Sequence, residues 1–438
     1  MSVIIERDEP AYEQARRESV WNGRTPERYP GLFVQVETTD DVIAALRRAA
    51  EGKLRVGVKS GGHSWAGNHL RDGGMVLDVS RLDQLVVDRD AMTAVVGPGF
   101  RGITGALVEQ GLFFPGGHCP GVAVGGYLLQ GGFGWNGRVH GPACMSVEAI
   151  DVVTADGDFI HADEHNHPDL LWAARGAGPG FFGVVVAFHL RLYPPPRHIA
   201  SSMLRFPIGL AETVFTWAQE SGPTIPPEVE MSIFVHRGED DEPEIVVTAP
   251  AMVDTPDQAA EALRFVGECP LLDRALEAVH NEEVTIADLY DLVHQFYPDG
   301  ARFAVDNMWT HAPVSQLISG IEEIARTLPP DPSAMLWLHW GDAGPDRPSM
   351  AFSVEDETYI AVYGVWYDQA DDERYASWAE ERMRGMEHLS SGIQLADENL
   401  GRRPARFVTD ENLARLDQIR EQYDPDGRFY PWMGRVDQ

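Results

Sequence analysis

Residues 116–141 read GGHCPGVAVGGYLLQGGFGWNGRVHG, with ten glycines in 26 positions. Each glycine lowers the stability of a helix or strand by roughly 0.5–1 kcal/mol, so such a density indicates that the backbone geometry or the function of this stretch requires glycine. Glycine lets backbone N–H groups come close to a ligand and point together at one anion. The stretch therefore predicts a ligand-holding loop and excludes an ordinary helix running through it.

A second loop, KSGGHSWAGNHL at residues 59–70, offers the same chemistry around one imidazole, that of His63. Strand-like runs flank this loop, and residues 39–52 before it form a helical pattern with Thr39 as the cap. The opening segment thus predicts a β-α-β unit with His63 between strands. Two such loops in one β-rich region indicate a dinucleotide or another large flat cofactor. Neither loop matches the Rossmann fingerprint or the phosphate-binding P-loop motif.

Each loop taken alone has a simpler interpretation. Glycine clusters often mark tight turns and bulges. A single histidine such as His63 is more often a hydrogen-bonded residue than a reactive one, and a single cysteine such as Cys119 is often a small buried hydrophobe. The combination of an imidazole and a thiol, each inside a glycine-rich loop, favours the cofactor interpretation.

The rest of the chain predicts an α+β protein of two domains. Residues 147–162 read as a β-hairpin turning at Asp156-Gly157, and the proline run at 194–196 marks a boundary. From about 200 to 398, strands alternate with amphipathic helices, which predicts an antiparallel sheet flanked by helices. Residues 399–438 contain a capped helix ended by Asp424-Pro425.

The bulk composition narrows the class of protein. The 438 residues are 44% hydrophobic and carry a formal charge of -33, which repels nucleic acid and anionic membranes. The three cysteines contain no C-x-x-C pair, so neither a disulfide framework nor a zinc site is supported. The N-terminus lacks the pattern of a signal peptide and no run is long enough to span a membrane, so we expect a cytoplasmic protein.

Several segments together resemble one family. In these segments the chain is similar to the berberine-bridge-enzyme-like flavoprotein oxidases. That family belongs to the vanillyl-alcohol-oxidase superfamily, whose members share a two-subdomain, PCMH-type FAD-binding module. The resemblance is strong over residues 25–195, recognisable over 400–431 and weak between them, where the family varies. The matching segments, in chain order, are VKSGGHSWAG, GGHCPGVAVGGYLLQGGFGWNGRVHG, VVTADG, HPDLLWAARGAGPGFFGVVVAFHLRLYP and YDPDGRF.

The resemblance implies how the chain is divided and how it holds its cofactor. Residues 1–198 and 399–438 would form the FAD-binding domain, and residues 199–398 the substrate-binding domain. The histidine of the family's GGHS loop, here His63, bonds to the 8α-methyl carbon of the flavin. The cysteine of its G-x-C-P-x-V segment, here Cys119, adds a second bond at flavin C6 in some members. Bicovalent attachment of FAD is therefore implied.

The resemblance also assigns the remaining flavin contacts, and some family positions differ here. The family usually has Asp at the position of Met145, Asn at that of Phe181 and Tyr at that of Leu413. We therefore transfer to this chain the family's covalent flavin-binding residues but not its substrate-binding residues. Cys144, outside the C-P-x-V context, is interpreted as structural. The predicted cofactor-binding residues are Ser60, Gly61, Gly62, His63, Ser64, Gly67, Gly116, Gly117, His118, Cys119, Val122, Gly125, Gly126, Gly131, Gly132, Gly134, His140, Val153, Tyr430 and Trp432.

The resemblance implies that FAD accepts a hydride from an alcohol, a sugar or another secondary metabolite, with O2 reduced to H2O2. A protein base must take the substrate proton. Asp342 is the first candidate, because some members use a carboxylate in this region, and His339 and Tyr363 follow. Any of these three side chains could instead belong to a packed strand or a solvated turn. A dehydrogenase with another electron acceptor and a flavin-binding protein without turnover are the alternatives.

Two polar clusters have plainer interpretations. His161, His165 and His167 suggest a metal site by composition, but they follow a hairpin where the family carries a polar loop, so we predict no metal there. The acidic run at 238–244 is interpreted as a solvated loop.

Overall fold

A computed structural model describes residues 2–341 and 344–435. The first sheet begins near the N-terminus and contains the predicted β-α-β unit. Its strands are β1 (Val3–Glu6), β2 (Leu32–Gln35), β3 (Val56–Lys59) and β4 (Met75–Asp78). They lie in the order β1-β2-β4-β3; β2 and β3 each run parallel to β4, and β1 pairs antiparallel with β2. His63 lies in the loop between β3 and β4, as predicted.

The second sheet contains five antiparallel strands. They are β5 (Leu85–Asp88), β6 (Thr93–Val96), β7 (Val147–Val153), β8 (Phe159–Ala162) and β9 (Val184–Arg191), in the order β5-β6-β9-β7-β8. The hairpin predicted over 147–162 is confirmed as β7 and β8, and Asp151 lies directly opposite His161 in its register.

The third sheet has seven strands, and all of its pairings are antiparallel, as predicted. They are β10 (His198–Pro207), β11 (Ser232–Arg237), β12 (Pro243–Val253), β13 (Glu277–Glu283), β14 (Arg302–Thr310), β15 (Ala334–His339) and β16 (Thr358–Trp366). Their order is β13-β10-β12-β11-β15-β16-β14. The fold class is therefore α+β, with an antiparallel sheet flanked by helices.

Helices connect and cover these strands. They are α1 (Tyr12–Glu18), α2 (Thr39–Glu51), α3 (Ile103–Val108), α4 (Val124–Leu129), α5 (Gly137–His140), α6 (Pro168–Ala174), α7 (Ala211–Ser221), α8 (Pro256–Ala262), α9 (Arg264–Gly267), α10 (Ile286–His294), α11 (Val314–Thr327), α12 (Asp372–Met386) and α13 (Asp410–Tyr423). The cap of α2 is Thr38 rather than the predicted Thr39, because the Thr38 side chain accepts the N–H of Asp41. The glycine-rich stretch holds two short helices, α4 and α5, where we expected none.

Two large hydrophobic cores follow from this arrangement. One core joins the first two sheets with residues from the C-terminal segment, such as Leu416 and Trp432. The other fills the space between the seven-stranded sheet and α7, α11 and α12. Most residues of the first core come from segments 1–198 and 399–438, but Ala351, Ile393 and Leu395 also pack into it. The exact boundaries at 198 and 399 remain a prediction.

Among the helices formed by residues 2–341 and 344–435, none has both the length and the apolar character needed to cross a membrane.

Candidate active site

A cavity of about 350 Å³ lies between the two glycine-rich loops and the face of the seven-stranded sheet that α7, α11 and α12 do not cover. One wall comes from the two glycine-rich loops, and the opposite wall comes from the seven-stranded sheet, α10 and the segment 394–397. This volume falls in the range typical of small-molecule sites, which are usually clefts between structural units.

His63 lines this cavity with one ring nitrogen unused. Its imidazole stacks on Trp21, with ring centroids 4.6 Å apart and an interplanar angle of 17°. Nε2 is buried and has no hydrogen-bond partner among the described residues. Burial, reinforced by the positive charge of Arg101, lowers the pKa of His63 to about 4. The ring is therefore neutral near pH 7, and its free nitrogen is available for bonding.

The second glycine-rich loop lies against the first one. The Arg101 guanidinium donates hydrogen bonds to the carbonyls of Gly61 and Gly121, one in each loop. A Cβ on Gly121 would lie 3.2 Å from Nε2 of His63, a tight contact, so glycine leaves more room beside that nitrogen. Cys119 lines the same cavity, and burial, with smaller effects from Asp299 and Asp397, raises the pKa of its thiol to about 11.

More than half of the predicted cofactor-binding residues line the cavity. They are Ser60, Gly61, Gly62, His63, Ser64, Gly117, His118, Cys119, Val122, Gly125, Gly126 and Tyr430. At Gly126 a Cβ would meet no atom within 4 Å, which leaves open space beside this loop. An unpartnered imidazole nitrogen beside an open, glycine-lined space is what covalent attachment of a flavin needs, so these residues fit FAD.

The other predicted cofactor-binding residues are not among the described residues that line the cavity, and their contacts are structural. A Cβ on Gly134 would lie 2.0 Å from the carbonyl oxygen of Gly116, so glycine permits this close approach. His140 stacks on Tyr193, and Trp432 is buried and donates to the Ala177 carbonyl at 2.7 Å. For these eight residues, binding to FAD stays a prediction: Gly67, Gly116, Gly131, Gly132, Gly134, His140, Val153 and Trp432.

The carboxylate of Asp397, which we did not predict, organises the opposite wall of the cavity. Trp65 donates its Nε1–H to Oδ1 at 2.7 Å. The phenols of Tyr359 and Tyr363 both donate to Oδ2, at 2.5 Å and 2.8 Å. Burial, together with the charge of Asp397, raises the pKa of both phenols well above 10. Both tyrosines therefore remain protonated at neutral pH.

The backbone around Asp397 is fixed by the neighbouring strand β14. Asn307 is fully buried, and its Nδ2 donates to the carbonyls of Gln394 and Asp397 at 3.1 Å and 2.7 Å. Its Oδ1 accepts the N–H of Gln394 at 2.8 Å. On the other side, Nδ2 of Asn68 in the first loop donates to Glu398 at 2.6 Å. The segment that carries Asp397 is thus tied both to the sheet and to the flavin loop.

A second polar pair lines the cavity beside Cys119. Nε2 of His118 lies 2.8 Å from Oε1 of Glu230. Burial opposes protonation of this imidazole, but the charge of Glu230 and its hydrogen bond outweigh that effect, so the pKa of His118 is raised. The pair links the second loop to the seven-stranded sheet side of the site.

The three predicted catalytic residues have different positions. Tyr363 lines the cavity and contacts Asp397. His339 does not belong to the described cavity wall: it lies beside Trp337 and against Gly222, on the helix-covered side of the sheet, so it cannot act as the base there. Asp342 lies outside the described residues. Trp337 and His339 share one face of β15, and the other face, which lines the cavity, carries Leu336 and Leu338.

The structure also shows where the three residues that differ from the family pattern lie. Phe181 lines the cavity. Met145 packs in a small buried cluster with Cys144, Met350 and Phe352, which agrees with the structural interpretation of Cys144. Leu413 packs at the margin of the first core.

Comparison with known proteins supports this interpretation of the site. Residues 30–163 match the family described as FAD binding domain. The chain is 30% identical over 432 residues to the FAD-linked oxidoreductase nodO of Hypoxylon pulicicidum, covering 95% of this chain and 94% of that protein.

Solved structures show the same fold. The structure of 6-hydroxy-D-nicotine oxidase from Arthrobacter nicotinovorans superposes with a TM-score of 0.84 at 22% identity, covering 100% of this chain and 98% of that one. BBE-like 1 from Physcomitrella patens gives a TM-score of 0.85 at 19% identity, covering 100% and 97%. The chain is an enzyme that belongs to the FAD-linked oxidoreductases with the PCMH-type FAD-binding fold, the fold of the berberine-bridge-enzyme-like proteins.

Proposed function

We propose that this enzyme is an oxidase that carries FAD bonded through His63 and Cys119 and oxidises a bulky, apolar alcohol or amine. The observation that carries the proposal is the buried Nε2 of His63, a residue that lines the cavity: this nitrogen has no partner among the described residues. Leaving a buried polar atom unsatisfied costs about 1–3 kcal/mol, and a bond to the cofactor removes that cost. FAD, when bound, supplies the hydride acceptor and passes the electrons on to O2.

Tyr363, Tyr359 and Asp397 are proposed to handle the proton of the substrate hydroxyl or amine. A phenol with a raised pKa is a poor base by itself, but its O–H already points at a carboxylate. When the phenol oxygen of Tyr363 accepts the substrate proton, its own proton passes to Oδ2 of Asp397. The Trp65 N–H on Oδ1 and the Tyr359 phenol hold the carboxylate in place for this transfer.

The cavity wall formed by residues 199–398 favours an apolar substrate over a sugar. α10 contributes Leu289, Leu292 and Val293, and the rings of Phe234 and Phe296 stack with centroids 4.7 Å apart. Among the described lining residues of this half there is no Lys or Arg, and the charged groups are Glu230 and Asp397. A sugar needs many free hydrogen-bond partners. On this wall the phenols of Tyr359 and Tyr363 already donate to Asp397, and Glu230 is paired with His118. The other polar groups are the hydroxyls of Ser201, Ser232, Thr248 and Tyr297 and the amide of Gln394.

An anaerobic donor screen tests the proposal. Polycyclic alcohols and hydrophobic amines, with mono- and disaccharides as the matched polar set, are mixed with the holoenzyme, and loss of the visible flavin absorbance is followed. Air is then admitted and H2O2 is measured. We expect bleaching by apolar donors and rapid peroxide formation. Bleaching by sugars alone contradicts the substrate class, and persistence of reduced flavin in air indicates a dehydrogenase. Absence of bleaching throughout indicates a flavin-binding protein without turnover.

A further inference from the structure

A polar cluster lies on the five-stranded sheet, apart from the cavity. Asp151 is on β7, His161 faces it from β8, and His189 is on β9. Residues opposite each other in an antiparallel pair project to the same side of the sheet, so three neighbouring strands present these side chains together. None of the three is among the described residues that line the cavity.

The three side chains already contact one another. Nδ1 of His161 lies 2.6 Å from Oδ1 of Asp151, and Nε2 of His189 lies 3.1 Å from Oδ2. The two imidazole rings are nearly perpendicular, at 89°, with centroids 5.0 Å apart. One nitrogen from each ring and one carboxylate oxygen all lie within 4.8 Å of one another.

We propose that Asp151, His161 and His189 bind one divalent transition-metal ion of the Zn²⁺ class. Two imidazole nitrogens and one carboxylate oxygen form a donor set that Zn²⁺ accepts at about 2.0–2.2 Å, with water completing the coordination. The ion takes the place of the protons that now join the rings to Asp151. Hard cations such as Mg²⁺ prefer oxygen ligands, so the two imidazoles select against them.

A second carboxylate supports this role of His161. Oδ2 of Asp163 lies 3.7 Å from Nε2 of His161, on the side of the ring away from Asp151. Metal-binding histidines usually donate their other ring N–H to such a carboxylate, which fixes the tautomer. Asp163 is itself held, because its Oδ1 accepts the backbone N–H groups of His165 and Asn166, each at 2.7 Å. The acceptor is therefore in place before an ion arrives.

Solvent reaches the cluster, so an ion can enter from outside. The exposed fractions of the side chains are 46% for His161, 30% for His189 and 20% for Asp151. The sequence interpretation grouped His161, His165 and His167 and predicted no metal there; the structure separates these three histidines. Only His161 belongs to the cluster, whereas Nδ1 of His167 lies 3.0 Å from the Tyr423 hydroxyl.

Calorimetric titration of the chelator-treated holoenzyme with ZnCl2 tests this site. We expect one saturable ion per chain and no comparable binding of MgCl2. His161→Ala and His189→Ala should each weaken Zn²⁺ binding by more than about tenfold, and Asp163→Asn by about tenfold. His311→Ala is the matched control, because His311 also pairs with a carboxylate, Asp356 at 2.7 Å, but without a second histidine.

Unchanged Zn²⁺ binding in both His161→Ala and His189→Ala, or no saturable binding to the wild type, overturns the proposal. Circular dichroism and flavin content check that the variants are folded. A second measurement needs no variant: anomalous scattering from zinc-soaked crystals of the wild-type protein should place the ion between the three side chains. An ion found only elsewhere on the surface also overturns the proposal.

Discussion

The phenol of Tyr363 donates a 2.8 Å hydrogen bond to Oδ2 of Asp397, the oxygen that also accepts from Tyr359. One carboxylate oxygen thus serves two phenols whose pKa values burial and the charge of Asp397 raise. Because both phenols are neutral at pH 7 and donate to this oxygen, the carboxylate is the proton acceptor among these three side chains.

Asp397→Asn should therefore slow reduction of the flavin by about 10²–10⁴-fold, the range lost with a general base. The amide keeps the shape of the side chain but does not accept the phenol proton. Stopped-flow absorbance without oxygen measures the rate. Tyr367→Phe is the control, since Tyr367 directly follows β16, the strand that carries Tyr359 and Tyr363, but its side chain is exposed. A normal rate in Asp397→Asn would remove this carboxylate from the proton pathway.

The two proposed flavin bonds should separate by mutation. Cys119→Ala should leave flavin attached through His63, and His63→Ala should leave it attached through Cys119, so that only the double variant releases flavin on acid precipitation. Cys144→Ala, which removes a buried thiol outside the cavity, is the control. The mass of the flavin-carrying peptide is the readout, and the same mass in wild type and Cys119→Ala would show that the sulfur bond does not form.

The rate at which the bond to Cys119 forms should depend on pH. His63 is neutral at physiological pH, because burial lowers its pKa to about 4, whereas burial keeps the Cys119 thiol protonated up to about pH 11. The thiolate is the reactive form of cysteine, so the second bond should form more slowly and accelerate as the pH rises. A time course of flavin loading into the apoprotein at several pH values, analysed by peptide mass, measures both steps.

The His118–Glu230 pair should stabilise the fold more in acid than in alkali. The pKa of His118 is raised above its ordinary value of 6.5, so the folded state holds this proton to a higher pH than the unfolded chain does. The stabilisation is complete below about pH 6.5 and is lost as the pH rises through the folded-state pKa. Denaturant unfolding of the wild type and of Glu230→Gln across this pH range gives the difference in their free energies of unfolding. A difference that grows with pH would contradict the assignment.

The buried ion pair between Asp306 and Arg403 should be costly to break. Both side chains are nearly fully buried, at 1% and 2% exposure. Arg403→Met leaves the carboxylate without its cation, which should cost about 3–5 kcal/mol in the free energy of unfolding. Arg264→Met, which breaks an exposed pair with Glu261, should cost at most about 1 kcal/mol. Equal losses in the two variants would contradict this difference.

Sequence periodicity predicted the β-α-β unit, the hairpin and the antiparallel sheet, and glycine density pointed to the two loops that line the cavity. The individual flavin contacts were implied by the family resemblance. The alternation of side chains along a strand implies that Trp337 and His339 share one face of β15. It could not tell which face the helices α7 and α11 cover, because that depends on packing between distant segments. His339 was therefore assigned to the cavity although it lies away from it.

Asp397 could not be found in the same way. Its significance comes from Trp65, 332 positions away, and from two tyrosines on β16. No local pattern in the segment around it distinguishes this carboxylate from a solvated one. The glycine-rich loops, by contrast, can be recognised in the sequence, because many glycines, each of which disfavours regular structure, are concentrated in a short stretch.

The bridge that Arg101 forms between the carbonyls of Gly61 and Gly121 bears on the biogenesis of the holoenzyme. The polypeptide joins the two glycine-rich loops with its own hydrogen bonds, so the contact between these loops does not depend on a bound cofactor. Chain synthesised in flavin-starved cells should therefore be obtained in a folded form, and it should mature when FAD is added to it in the test tube.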